Sequence, residues 1–482
     1  MSQEKSDKIS FQQYLQSKGY FFNQELIENY LLSLKVKPFV ILTGNSGTGK
    51  TKLAQLFANY VSHHDIDVIV NRVKTSNKVG KSATSGGWSL NNEDVKKFIP
   101  IDVYQKELPI IVDGIEGIGK INMNTRLFFK SDEIYDRLSK LRDEDPNQKV
   151  DIELIVDSFN SRSKSNNNSK QYKVIPVGSN WTENRNVLGF YNVITEEYNE
   201  TPAYALIKNA QKDLVNPYFL ILDEMNLSHV ERYFADFLSA IESNEAIPLY
   251  SGNDCDDNYE LKLPENLFII GTVNVDETTY MFSPKVLDRA NTIEFDSMSV
   301  SDYMNNDFKY KQVMGNISFL LDPLQGIEVR RADIHVLHDM LCDVMVENSS
   351  LWDVLSDELN KLQEILKLSG FDFGFRVINE ILRFMVVSWM YEGSPNNWGS
   401  NWMRYFDAQI KQKILPKLHG SEKSLSETLN KLYKFCLFNE SFNVSIKNTG
   451  LSKNDYKYYT SALKIKEMSN VLSEQRYVSF IN

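Results

Sequence analysis

The chain has 482 residues, of which 42% are hydrophobic and 24% are charged, as is usual for a globular protein with more than one domain. The formal net charge is −11, which argues against a protein that coats nucleic acid through a uniformly basic surface. The three cysteines are far apart and odd in number, which argues against a disulfide framework or a zinc site. The sequence has no signal-peptide core and no apolar run of about 20 residues, so we expect a cytoplasmic protein without a membrane span.

Residues 1–36 carry apolar side chains at helical spacing, and we expect two short amphipathic helices that pack beside the site described next. An apolar run, Phe39–Leu42, then predicts a strand, and the pattern from Lys50 to Val61 predicts a helix. Between them lies the complete pattern G-x-x-x-x-G-K-[ST]. Its glycines allow backbone N–H groups to surround a phosphate, its lysine contacts the β- and γ-phosphates, and its hydroxyl coordinates Mg²⁺. The residues assigned to nucleotide binding are Gly44, Asn45, Ser46, Gly47, Thr48, Gly49, Lys50 and Thr51.

Residues 71–171 separate this helix from the next predicted core strand, Tyr172–Val177. Connections in α/β units usually take roughly 2–6 residues, so the interval predicts an inserted subdomain. A helix is expected around Asp132–Leu141. The insert also contains a basic stretch that is a candidate DNA contact, with Arg72, Lys74, Lys78 and Lys81.

The insert contains a second segment with P-loop spacing, from Gly114 to Lys120. Ile121 stands where a Ser or Thr is needed to hold Mg²⁺, and Glu116 would face the phosphates. We therefore interpret this segment as a turn between two strands rather than as a second nucleotide site.

Two later apolar runs end in polar residues suited to hydrolysis. The first run precedes Asp223 and Glu224, and the second precedes Asn274. Ligands of open α/β sheets bind at the carboxyl ends of parallel strands. We therefore expect Asp223 to hold Mg²⁺ together with Thr51, Glu224 to activate water, and Asn274 to contact the γ-phosphate or that water. The alternative for the acidic pair is a strand end that is merely solvated.

Strand–helix alternation with polar strand ends predicts a doubly wound α/β core. The segments GNSGTGKT, LILDEMN, GTVNVDETT, SPKVLDRANTIEF and FGFRVINEILRF occur in this order and resemble the AAA+ P-loop NTPases. More narrowly, they resemble the branch related to McrB, the motor of modification-dependent restriction systems. Further similar segments lie at 177–192, 412–421 and 476–481, so the resemblance covers most of residues 10–60 and 172–482.

The resemblance implies an AAA+ core at residues 37–300, with a parallel sheet, flanking helices and the insert at about 71–171. A helical arm at 1–36 precedes this core. Residues 301–482 are expected to form an α-helical lid and a C-terminal cap. The closing segment, Tyr477–Ile481, is a candidate strand that pairs with an earlier one.

The resemblance also implies catalytic roles. Asn274 matches the sensor-1 position, Arg289 matches the region that supplies an arginine finger to a neighbouring subunit, and Arg376 looks like the sensor-2 arginine of the lid. A planar, permanently charged guanidinium stabilises the charge on a transferring phosphoryl group. The alternatives are that Arg289 caps a helix and that Arg376 pairs with Glu380 one helical turn later.

The resemblance implies an Mg²⁺-dependent ring, expected to be a hexamer, that hydrolyses ATP or GTP and acts on DNA with a McrC-like nuclease partner in defence. The sequence has no nuclease motif, so DNA cleavage is assigned to that partner. The family signature Met-Asn-Thr-Ala-Asp is replaced here by Val273–Glu277, which leaves the choice between ATP and GTP open. Gly178–Asn186 is a candidate substrate-facing loop. Two rivals remain: a protein-remodelling AAA+ chaperone of the MoxR kind, and a slow nucleotide-gated switch.

Overall fold

The chain divides into two compact units, one of residues 1–63 with 165–482 and the other of residues His64–Lys164. Lys81, Asp276 and Glu277, named above, lie outside the residues that the structure describes. The computed structural model describes residues 11–63, 68–79, 88–89, 107–122, 126–129, 131–145, 147–159, 170–192, 194–251, 258–275, 280–296, 317–367, 369–439, 446 and 450–481.

Strands and helices alternate along the first part of the chain, and helices dominate after residue 317. The strands are β1 (Phe39–Gly44), β2 (Val68–Lys78), β3 (Trp88–Ser89), β4 (Glu107–Val112), β5 (Ile115–Ile121), β6 (Arg126–Phe129), β7 (Lys149–Phe159), β8 (Tyr172–Pro176), β9 (Gly189–Asn192), β10 (Glu197–Glu200), β11 (Tyr218–Asp223), β12 (Ile247–Ser251), β13 (Asn258–Leu261), β14 (Leu267–Asn274), β15 (Asn291–Phe295), β16 (Met345–Val346), β17 (Ser349–Ser350), β18 (His419–Ser421) and β19 (Tyr477–Ser479). The α-helices are α1 (Phe11–Ser17), α2 (Gln24–Val36), α3 (Lys50–His63), α4 (Asp132–Glu144), α5 (Arg185–Leu188), α6 (Pro202–Lys212), α7 (Val230–Tyr233), α8 (Ala235–Ser243), α9 (Pro284–Leu287), α10 (Ile317–Leu321), α11 (Ile334–Asp343), α12 (Leu351–Lys367), α13 (Phe375–Tyr391), α14 (Trp402–Gln409), α15 (Glu422–Phe435) and α16 (Tyr459–Gln475).

The first unit is built on a five-stranded, all-parallel sheet in the order β15–β1–β14–β11–β8. Every residue of β1 is buried, as are all residues of β14 except the last. Strands covered on both faces require such continuous apolar runs. Gly44 pairs with Asn274 on one side and with Phe295 on the other, so the strands end level with one another. The predicted core strands and their parallel arrangement are confirmed.

The N-terminal arm forms two helices, α1 and α2, as the apolar spacing predicts. Phe22, in the link between them, packs against the loop that follows β1: a Cβ added at Gly49 would lie 3.0 Å from the Phe22 ring. The same ring meets Phe295 edge to face, with centroids 6.1 Å apart. The expected packing of the arm beside this loop is confirmed.

The second unit is a curled antiparallel half-barrel sheet in the order β2–β7–β4–β5–β6–β3, accompanied by α4. The segment with false P-loop spacing forms the hairpin β4–β5. Its two-residue turn, Asp113–Gly114, has φ values of 49° and 81°, as a type I′ hairpin turn requires. No helix follows the turn, because Ile115–Ile121 pairs as a strand with β4. The interpretation of this segment as a turn between strands is confirmed.

The basic stretch of the insert forms part of β2. Arg72, Lys74 and Lys78 are all residues of this strand. The register with β7 sets Glu153 opposite Lys74 and Asp151 opposite Ser76. The paired positions of these two strands therefore include acidic as well as basic residues.

The C-terminal region of the first unit is mainly helical. A π-helical turn, Ile410–Ile414, continues from α14, and such turns occur frequently at functional sites. The predicted pairing of the chain's end is confirmed, since β19 pairs with β18 in antiparallel fashion. Within the described ranges, no helix has both the length and the apolar character needed to cross a membrane.

Two cations, the half-buried Arg330 and the buried Lys35, join α2 to the C-terminal region. Arg330 donates to the carbonyl oxygens of Leu34 and Lys35 at 2.9 and 3.1 Å. Lys35 is only 2% exposed, and its ammonium donates to the carbonyl oxygen of Asp322 at 2.6 Å. Burial is the main cause that lowers the pKa of Lys35 from 10.5 to about 8, and the positive charge of Arg330 is the second.

The depressed pKa of Lys35 predicts a pH dependence of stability. Above pH of about 8, the folded chain loses this proton while the unfolded chain still binds it, so raising the pH favours the folded state. Between about pH 8 and pH 10 we expect the free energy of unfolding of wild type to rise relative to Lys35→Met, by on the order of 1–2 kcal/mol. Denaturant unfolding at several pH values measures this difference. A difference that stays constant across the window contradicts the prediction.

Candidate nucleotide-binding site

The loop between β1 and α3 has the backbone shape that its glycines permit. Gly44 and Gly47 have φ values of 144° and 80°, where residues with a side chain are strained. At Gly44 a side chain is also excluded by its surroundings, since a Cβ there would lie 2.5 Å from the carbonyl oxygen of Phe295. Asn45, Ser46 and Gly47 are exposed at the tip of the loop.

Lys50, the first residue of α3, is 4% exposed and points back into the loop. Its ammonium donates to the carbonyl oxygens of Gly44 and Asn45 at 2.7 and 2.6 Å, and to the hydroxyl of Thr48 at 3.3 Å. These contacts hold one positive charge at the N-terminal end of a helix of 14 residues. The helix dipole and the ammonium together can stabilise a phosphate in the loop.

One carboxylate oxygen joins three elements of the site. Asp223, the last residue of β11, accepts at Oδ1 from the hydroxyl of Thr51 at 2.5 Å and from that of Thr272 at 2.7 Å. Thr51 lies on α3 and Thr272 lies on β14, so the acid connects the loop–helix segment to the central strand of the sheet. Thr51 and Asp223 also fit the ion that the sequence predicts. Mg²⁺ prefers oxygen ligands and is commonly bound by one or two protein groups together with waters and phosphates.

Glu224 and Asn274 form the second part of the site. The backbone of Glu224 is left-handed, with φ 55° and ψ 51°, which turns its side chain away from the strand direction. Its N–H donates to the hydroxyl of Thr272 at 3.1 Å, and its Oε1 accepts from Asn274 Nδ2 at 3.1 Å. A strained conformation held by hydrogen bonds is typical of functional positions. The arrangement can hold a carboxylate ready to accept a proton from water.

The two predicted arginines both pair with one carboxylate, that of Glu242, rather than with a residue of the loop. Arg289 Nε donates to Glu242 Oε2 at 2.6 Å, and Arg376 pairs with the other oxygen of the same carboxylate. Glu242 lies in the last turn of α8, where the helix dipole also favours cations. The alternative partner for Arg376 is wrong, because Glu380 pairs with Lys37 and Lys413 instead.

Sequence reasoning missed two residues that organise these groups. Thr272 carries a signal in retrospect, because it is polar within an apolar run and stands two positions before Asn274, on the same side of the strand. Nothing in the sequence marks Glu242 as part of the site, since an acid near the end of an amphipathic helix usually faces solvent. Its role follows from the way distant segments of the chain meet.

The collision at Gly44 predicts unequal effects of two alanine substitutions. In Gly44→Ala the new Cβ collides with Phe295, so β1 and β15 must separate there. In Gly47→Ala the new Cβ has no heavy atom within 4 Å, and the only cost is backbone strain of about 1–2 kcal/mol. We therefore expect Gly44→Ala to lower the melting temperature clearly more than Gly47→Ala, as measured by circular dichroism. Equal shifts for the two variants would show that the tight approach of Phe295 is not present in solution.

Comparison with known proteins adds one finding. Residues 328–477, which include Glu380 and both α12 and α13, match a family described as a domain of unknown function (DUF8727). No curated protein shows significant similarity to the chain.

Proposed function

We propose that this chain is an Mg²⁺-dependent nucleoside-triphosphate hydrolase of the AAA+ type. The observation that carries the proposal is the shared carboxylate of Asp223, which accepts from Thr51 on the loop–helix segment and from Thr272 on the strand that ends in Asn274. This contact sets a glycine-rich loop with its lysine beside a second acid, Glu224. The glycine loop, the oxygens of Thr51 and Asp223, and the carboxylate of Glu224 thus lie at one end of a parallel sheet, which supports their assignment to phosphate, metal and water.

In the proposed mechanism, backbone N–H groups of residues 44–49 and the ammonium of Lys50 bind the phosphates. Mg²⁺, when bound, neutralises charge on the β- and γ-phosphate oxygens. Glu224 accepts a proton from the attacking water, and Asn274 orients the Glu224 carboxylate through the hydrogen bond at 3.1 Å. Water then attacks the γ-phosphorus and the bond to the bridging oxygen breaks, which releases inorganic phosphate and the diphosphate.

Assembly into a ring, expected to be hexameric, is part of the proposal. Within the described part of the chain, Arg289 and Arg376 pair with Glu242 rather than with any loop residue. Arginines that do not reach the loop of their own subunit are available to a site on a neighbouring one, where a guanidinium stabilises the transferring phosphoryl group. The strand order and the helical C-terminal region fit the AAA+ architecture that the motifs resemble.

We propose that the ring acts on DNA with a McrC-like nuclease, on the strength of the resemblance. The register of β2 with β7 pairs Lys74 with Glu153, so the paired strands of the insert are not uniformly basic in sequence. One observation favours the rival, a protein-remodelling ring of the MoxR kind. The hairpin β9–β10 exposes apolar Phe190 and Ile194 (49% and 88% exposed), which suits a protein client. Stimulation of hydrolysis by duplex DNA or by an unfolded protein distinguishes the two.

Two substitutions separate nucleotide binding from hydrolysis. Lys50→Ala removes the charge that holds the phosphates, and we expect loss of ATP or GTP binding by at least about tenfold. Glu224→Gln keeps the shape of the side chain and removes the base, so binding is retained while phosphate release falls by roughly 10²–10⁴-fold. Fluorescent-nucleotide titration and a phosphate-release assay measure the two effects. Unchanged turnover in Glu224→Gln would favour the slow nucleotide-gated switch over the hydrolase.

Mixing two inactive variants tests the ring. Arg289→Ala subunits keep an intact loop but supply no arginine, whereas Lys50→Ala subunits supply the arginine but have no working loop. If Arg289 acts on a neighbouring subunit, mixed assemblies place an intact loop beside an intact arginine and recover hydrolysis. Phosphate release is measured as a function of the mixing ratio. Activity that stays at the level of the separate variants argues that Arg289 serves its own subunit or none.

A further inference from the structure

We propose that Lys413 is a positioning residue that holds the segment bearing Arg289 and the helix bearing Arg376 in one fixed arrangement. The inference rests on the proposed function, because it assigns the two arginines to phosphoryl transfer. Lys413 itself lies in the π-helical turn Ile410–Ile414, and its polar contacts are with residues other than the two arginines.

The ammonium of Lys413 makes contacts on two sides. Its side chain is fully buried, with 0% exposure. On one side it donates to the carbonyl oxygens of Ala290 at 2.8 Å and of Asp288 at 3.3 Å, the two residues that flank Arg289. On the other side it pairs with the carboxylate of Glu380. The two carbonyl contacts use two of the three N–H donors of the ammonium, and the carboxylate balances its charge.

Glu380 connects this lysine to the second arginine. It lies on α13 one helical turn after Arg376, so a contact that holds Glu380 also holds the helix that bears Arg376. Burial by itself raises the pKa of Glu380, but Lys413 and Lys37 outweigh it, and the pKa lies below the ordinary value. The carboxylate is therefore charged, as an ion pair with Lys413 requires.

A second lysine strengthens the same junction. Lys417, in the 3₁₀ turn that follows the π-helical turn, pairs with the carboxylate of Asp288, the residue before Arg289. Two lysines of one short segment, Lys413 and Lys417, thus hold the residues on both sides of Arg289. At the surface, Glu242 pairs with both guanidiniums. Two guanidiniums that must meet one phosphoryl group gain from such preorganisation, because a misplacement of about 1 Å can cost about 10²-fold in rate.

The cluster offers a matched control. Lys37 also pairs with Glu380, but none of its contacts involves the Arg289 segment. Lys37→Met leaves Lys413 against Glu380, and Lys413→Met leaves Lys37 against Glu380, so each variant keeps one buried lysine and one buried carboxylate. The two substitutions differ in the contacts to Asp288 and Ala290, which only Lys413 makes.

The experiment compares these two variants and Arg289→Ala with wild type in the assembled protein. For Lys413→Met we expect kcat to fall about 10²-fold with KM within about threefold, because the loop that binds nucleotide is untouched. Lys37→Met is expected to stay within about threefold of wild type. The double variant Lys413→Met with Arg289→Ala is expected to lose less than the product of the two single losses, since the part of the Lys413 contribution that acts through Arg289 is already absent.

A second readout does not depend on hydrolysis. Phenylglyoxal modifies accessible guanidinium groups, and mass spectrometry locates the modified residue. We expect Arg289 to react faster in Lys413→Met than in wild type and at the wild-type rate in Lys37→Met. If Lys413→Met does not fold, Lys413→Arg takes its place, because it keeps the charge against Glu380 while its planar donors cannot reproduce both carbonyl contacts.

The outcomes separate the two proposals. Wild-type protein that hydrolyses no nucleotide overturns the proposed function, and the labelling result then decides the placement of Arg289 by itself. Wild-type kcat in Lys413→Met, a multiplicative loss in the double variant, or equal labelling of Arg289 in all proteins overturns the role of Lys413 while the hydrolase proposal stands.

Discussion

The candidate site depends on the register of the parallel strands, which brings their carboxyl ends to the same edge of the sheet. β1 pairs with β14 so that Gly44 stands beside Asn274, and β14 pairs with β11 so that Asp223 follows Leu222 at the same edge. This register brings the hydroxyl of Thr272 within 2.7 Å of Asp223 and the amide of Asn274 within 3.1 Å of Glu224. A slip of one residue would turn every side chain of a strand to the opposite face and separate these groups.

A second centre lies where the C-terminal region meets the segment before β15. There Glu242 pairs with Arg289 and Arg376, and the buried Lys413 donates to the carbonyl oxygens of the residues on either side of Arg289. Part of this centre comes from the region that matches the domain of unknown function, which supplies Arg376, Glu380 and Lys413. We therefore propose that this region contributes to the chemistry of a neighbouring subunit and also covers the core of its own.

In this region the buried carboxylate of Glu380 pairs with two lysines, Lys37 and Lys413, and we propose that these pairs position the helix more than they stabilise the fold. Removing both partners of a buried ion pair is often tolerated, whereas removing one partner leaves an uncompensated charge and is strongly destabilising. The cluster of Lys37, Lys413 and Glu380 has one lysine in excess, so either lysine can be removed with the carboxylate still paired. Burial lowers the pKa of Lys37 to about 8, which lets the excess charge be lost by deprotonation at modest cost.

Local features follow from the amino-acid sequence alone: the glycine loop, the strands that end in Asp223 and Asn274, and the hairpin at Asp113–Gly114. Each depends on neighbours along the chain, through apolar runs or turn residues that favour one backbone shape. The hydrogen bond of Thr272 to Asp223, and the pairing of both Arg289 and Arg376 with Glu242, depend instead on how distant segments pack. These contacts join residues from 47 to 134 positions apart (289 − 242 and 376 − 242), and no periodicity records such pairs. Folding brings them together through the register of the sheet and the packing of the helices against it.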